Sequence, residues 1–173
     1  MKSFTLLLFL IISANILASA QNLKAGRFKT GSNTFDVKKV KNQFVVSNIK
    51  NSQVDKARKL PEHLVNSGYE QFLHIGEKER SGILSLVTAE YTRLGKQLPM
   101  ENPLIVYYIS EDGNILAMDF ILLSDSRLTT DDFRIIEGAL KGKFHFKTDS
   151  KKLSGAGYVT WASRLTMTKP PKE

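Results

Sequence analysis

The chain has 173 residues, 25 Lys and Arg against 17 Asp and Glu, a formal net charge of +8, and no cysteine. That length is enough for one domain with an ordinary core. The missing thiols exclude disulfides, thiolate catalysis, cysteine zinc sites and a lipid-modified amino-terminal cysteine.

Residues 1–20 carry one lysine, Lys2, an unbroken apolar stretch at 6–12, and Ala18-Ser19-Ala20 before Gln21. This pattern predicts a cleaved secretory signal peptide. Ser13 and Asn15 leave the apolar run too short to span a membrane comfortably. The mature chain is then expected to be a single α+β domain over 21–168. The tail at 169–173, Lys169-Pro170-Pro171-Lys172-Glu173, is expected to be disordered. Export without disulfides points to a bacterial envelope, periplasmic or extracellular, with no transmembrane segment left after cleavage.

Residues 26–50 read as a basic β-meander with turns at Gly31-Ser32-Asn33 and Lys41-Asn42. Its faces are polar on one side and thinly apolar on the other, as expected at a sheet edge. Residues 51–59 read as a charged connection. Pro61 suits the first turn of a short helix ending at Gly68, and residues 69–75 (YEQFLHI) read as a strand in preference to the end of that helix. Ile83, Leu84, Val87, Tyr91 and Leu94 then recur at helical spacing, with acids leading, Arg93 trailing and Gly95 as a stop.

Residues 104–110 and 115–123 are rich in β-branched and aromatic side chains, and Glu111-Asp112-Gly113-Asn114 between them tolerates positive φ, which predicts a β-hairpin. In the second run Ile115, Ala117, Asp119 and Ile121 alternate with Leu116, Met118, Phe120 and Leu122. A strand this apolar belongs inside a sheet with at least one face covered. Thr129-Thr130-Asp131-Asp132 caps a helix carrying Phe133, Ile136 and Leu140 on one stripe, and Lys141, Gly142 and Lys143 close it. With residues 143–146 leading to a last strand within 157–167, residues 104–167 form a ββαβ unit. The expected architecture is a mostly antiparallel sheet with two main helices packed on one face.

The run Ile109-Ser110-Glu111-Asp112-Gly113-Asn114-Ile115, then a strand, a helix, Lys143-Phe144 and a last strand, resembles the carboxy-terminal domain of TonB-type proteins. The match covers about a third of the chain. The resemblance implies binding through an exposed strand, by adding a partner's extended segment to a sheet edge. TonB proteins keep an amino-terminal membrane helix and a long proline-rich spacer, whereas this leader reads as cleavable and the chain holds five prolines. Energy transduction is therefore not expected.

The residues supply no catalytic, cofactor or metal motif. His63, His74 and His145 lack the HxH or HxxxH spacing of a metal site. Asp131 and Asp132 are explained as helix-start acids, Glu111 and Asp112 as turn formers, and Ser81-Gly82 and Ser154-Gly155 lack the flanking signature of a nucleophile elbow. The expected activity is therefore non-enzymatic binding of a protein or peptide in the cell envelope. Partner contacts are expected at Tyr158 and Thr160 on the last strand and at Lys143, His145 and Lys147 before it. The alternative is a small envelope hydrolase whose site the fold gathers. Lysines cluster at Lys38, Lys39, Lys41 and Lys50 and again at Lys141, Lys143, Lys147, Lys151 and Lys152. They read as a solvated surface or as diffuse attraction to an anionic partner. Export makes nucleic acid an unsuitable partner.

Overall fold

The computed structural model describes residues 23–54 and 59–167. The leader, the carboxy-terminal tail and the middle of the charged connection at 51–59 lie outside the described residues. One antiparallel sheet of six strands dominates, in the order β1-β2-β3-β6-β5-β8, with a second sheet formed by β4 and β7. The strands are β1 (Gly26–Thr30), β2 (Asn33–Val40), β3 (Gln43–Asn48), β4 (Leu73–His74), β5 (Leu104–Ser110), β6 (Ile115–Leu123), β7 (Lys147–Thr148) and β8 (Tyr158–Arg164). The helices are α1 (Glu62–Ser67), α2 (Glu77–Arg93), α3 (Thr130–Leu140) and α4 (Ser150–Leu153).

The meander β1-β2-β3 turns at Gly31-Ser32 and at Lys41-Asn42, where Lys41 takes φ +54°. β3 then pairs with β6, so the meander occupies one end of the sheet and the apolar β6 lies inside it. β5 pairs on its other side with β8, which ends the sheet.

Register sorts the side chains into two faces. Phe35, Val37, Val46, Phe120, Ile105, Tyr107 and Val159 share one face and are all buried. The two long helices cover it. α2 buries Ile83, Val87 and Tyr91, four residues apart, and α3 buries Phe133, Ile136 and Leu140. Phe133 packs against Phe120 and Phe35, with ring centroids 4.8 and 5.9 Å away. The Tyr91 hydroxyl donates to Asp132 Oδ1 at 2.8 Å, tying the helices together.

Three local readings change. The alternation expected along β6 breaks at its start, because Tyr108 pairs with Ala117 but Ile109 pairs with Ile115. Leu116 is the extra residue of this bulge; it is exposed, while Ile115 turns inward beside Ile109. Residues 69–75 are not one strand: Tyr69–Phe72 is a 3₁₀ turn and only Leu73–His74 finds a strand partner, in β7. Residues 143–146 likewise form no strand; His145 makes a lone bridge to Asn114, and pairing begins at Lys147.

Candidate functional site: the outer edge of the last strand

β8 is fixed to β5 by a regular register, from Leu104 opposite Arg164 to Ser110 opposite Tyr158. The ladder continues past the strand, with the Leu165 N–H donating to the Pro103 carbonyl at 2.9 Å and the Met167 N–H to the Glu101 carbonyl at 3.1 Å. In an antiparallel pair, hydrogen-bonded and non-bonded residues alternate. The odd-numbered residues of β8 therefore bond to β5. Thr160, Ala162 and Arg164 turn their N–H and C=O away from β5, and no strand among the described residues lies on that outer side.

The other end of the sheet is β1, five residues that include Arg27 and Lys29, both exposed. Charged side chains of this kind guard a sheet edge against pairing. β8 has seven residues, Tyr-Val-Thr-Trp-Ala-Ser-Arg, with a charge at its last position alone.

Beside β8 runs a groove of about 590 Å³, walled by the first turns of α2 and by residues 161–166. Trp161 and Ser163 point into the layer of the helices, as their register with Tyr107 and Ile105 requires. Trp161 stacks on Tyr107 at 5.3 Å and 25°, and both rings meet Phe146 edge-on. Over this aromatic group lies Arg80, its guanidinium carbon 5.2 Å from the Trp161 ring centre and its Nη1 donating to Ser163 Oγ at 2.8 Å. Glu77, one helical turn earlier, lines the same groove. Burial pushes the Tyr107 hydroxyl well above the usual tyrosine range, so this ring is a neutral part of the wall.

The five residues expected at a partner surface fall on two sides of the sheet. Tyr158 and Thr160 project from the face away from α2 and α3. There Tyr158 packs on Tyr108 at 5.7 Å, and the Thr160 hydroxyl is 3.0 Å from the Tyr69 hydroxyl. Lys143, His145 and Lys147 are exposed along the run that passes α2. Lys143 Nζ lies 3.5 Å from Glu90 Oε2, and Phe144 approaches Gly82. Arg93 and then Lys143 hold the Glu90 carboxyl down at about 2. Arg80, Trp161 and Ser163 form the groove wall instead. Their joint position follows from a helix-to-strand contact across more than 80 residues, although Trp161 and Ser163 sharing a face is plain from strand alternation.

The histidines do not converge. His63 lies on α1, His74 pairs with Lys147 between β4 and β7, and His145 bridges to Asn114. Neither the groove beside β8 nor a second one of about 850 Å³, lined by residues 97–104 and 121–127, is lined by histidine. Among the described residues no three His, Asp or Glu gather closely enough to hold a metal ion. No helix among them is long and apolar enough to cross a membrane.

No protein-family model matches the chain, and no curated protein matches its sequence. Among solved structures, the fold is similar to the 1.85 Å crystal structure of a DUF5043 family protein from Bacteroides uniformis. That similarity has a TM-score of 0.60 and covers 90% of this chain and 96% of that one, at 16% identity. The likeness is one of fold.

Proposed function

We propose that this chain is a non-enzymatic binding module that takes an extended segment of a partner protein or peptide along the outer edge of β8. One observation carries the reading: Thr160, Ala162 and Arg164 turn their backbone groups away from β5, on the sheet end that charged side chains guard least. An added strand would satisfy those groups through main-chain hydrogen bonds and set its alternate side chains against the groove. This is the mode that the resemblance to TonB-type carboxy-terminal domains implies. The signal-like pattern of residues 1–20 supports an encounter in a bacterial envelope or outside the cell.

Proline substitution tests it. Ala162→Pro removes an outward N–H and leaves the β5 ladder intact, whereas Ser163→Pro removes a ladder bond. Panels of extended envelope peptides screened by amide chemical shift are expected to move Thr160, Ala162 and Arg164. Ala162→Pro should abolish that binding with little loss of stability, and Ser163→Pro should lower stability strongly. Binding that survives Ala162→Pro unchanged would defeat edge addition.

A further inference from the structure

Arg80 is held more firmly than an exposed arginine usually is, and it is held without an acid. A guanidinium offers five N–H donors in a rigid planar fork. Here its carbon lies over the Trp161 ring, 5.2 Å from the ring centre, and one Nη1–H is spent on Ser163 Oγ. Among the described residues no carboxylate forms an ion pair with it, although Glu77 lines the same groove. Its side chain lines a groove that Arg164 also lines, in a chain of net charge +8.

A strand added to β8 directs every second side chain to the helix face, where Trp161 and Ser163 point. A residue there comes up against Arg80, and its same-face neighbour two positions on comes up against the apolar lining of Ile83, Leu84 and Leu165. Resting on the edge-addition reading, we propose that the groove selects segments that bear a carboxylate, received by the Arg80 fork while the segment's backbone pairs with β8. Trp161 and Ser163 act as positioning residues, fixing the plane and direction of the guanidinium before the ligand arrives. A side-chain acid and a carboxy terminus supply the same chemistry.

Three amino-terminally acetylated hexapeptides with a common β-branched background distinguish these sources. One has an internal Glu and an amidated end, one an internal Gln and an amidated end, and one an internal Gln and a free carboxy terminus. Each is titrated into ¹⁵N-labelled protein while the backbone amides of Thr160, Ala162 and Arg164 and the Arg80 Nε–H are followed. A carboxylate peptide is expected to bind about tenfold more tightly than the neutral one, the gain typical of a charge-assisted bidentate contact. The Arg80 Nε–H should move with carboxylate peptides alone. Arg80→Gln should bring the three affinities within about twofold of the neutral peptide's, and Arg80→Lys should restore part of the difference. A purely structural Arg80 would lower thermal stability in these variants and leave the ratio untouched. A gain for the internal Glu assigns the side chain as the source, and a gain for the free end assigns the terminus; either supports the proposal. Equal affinities with the edge amides still moving overturn carboxylate selection and leave edge addition standing. Edge amides that no peptide moves overturn both. Edge amides that shift with protein concentration alone show a second copy as occupant, and overturn the proposal.

Discussion

Gly113 occupies a place where no side chain fits. Its φ is +86°, and a Cβ built on it would stand 2.0 Å from the Phe146 carbonyl oxygen, whose own amide donates to the Gly113 carbonyl at 2.9 Å. Gly142 has a similar φ of +75° with nothing within 4 Å of its Cβ position. Gly142→Ala should therefore cost only the left-handed backbone strain, about 1 kcal/mol. Gly113→Ala adds a backbone collision and should cost about 2–4 kcal/mol. Urea unfolding of the two variants checks the ranking. A second residue, Glu137, is buried on α3. Its carboxylate accepts from Asn48 Nδ2 at 2.7 Å and Asn51 Nδ2 at 3.4 Å, and Lys141 Nζ donates to Asn51 Oδ1 at 3.0 Å. Burial raises its pKa above the usual glutamate value, more than the Asn48 contact and the Lys141 charge lower it. A raised acid binds more protons folded than unfolded, so its contribution to stability is greatest at low pH. That contribution falls as pH rises from the ordinary glutamate pKa through the folded one. Glu137→Gln should remove this slope, which unfolding midpoints measured between about pH 4 and pH 7 will show. A variant as pH-dependent as the parent over that range would refute the account.

At the scale of elements, α3 depends on a reciprocal cap. Asp132 Oδ2 accepts from the Thr129 N–H and the Thr129 hydroxyl, both at 2.7 Å, and Asp132 Oδ1 accepts from Tyr91. Thr129→Ala should cost about 1 kcal/mol. Asp132→Ala should cost roughly twice that, since it strips the cap and leaves the hydroxyl of the buried Tyr91 unpartnered; an equal loss from both would argue against the inter-helix bond. This helix was legible in the sequence because its signals are local: the cap, the acids and an apolar stripe within about three turns. The central hairpin was legible for the same reason. Residues 69–75 and 143–148 were not, because two-residue strands carry no period of their own and depend on a partner distant in the chain. The groove was half legible. Strand alternation within 157–167 puts Trp161 and Ser163 on one face, but nothing at Arg80 marks it as their partner. Lys143 and Lys147 drew notice through charge, yet they lie along α2, apart from Tyr158 and Thr160.

For the whole molecule, the proposed mode of binding gives charge and edge different steps. A net charge of +8 acts at a distance and is screened by salt, with a Debye length of about 10 Å near 0.1 M. Hydrogen bonds along β8 form only on contact, and the Arg80 fork acts at short range beside an aromatic wall. Salt should therefore reduce the association rate of an acidic segment far more than it raises the dissociation rate. Stopped-flow or surface measurements with the Glu hexapeptide, taken from about 50 to about 300 mM NaCl, should show the association rate falling several-fold while dissociation changes by less than about twofold. Neutralising Lys38 and Lys39 on the distant meander should lower the association rate at low salt and leave dissociation alone. Arg80→Gln should do the reverse, speeding dissociation at every salt concentration. If salt instead speeds dissociation and spares association, the lysines themselves hold the ligand, and the binding surface is the basic face instead of the edge of β8.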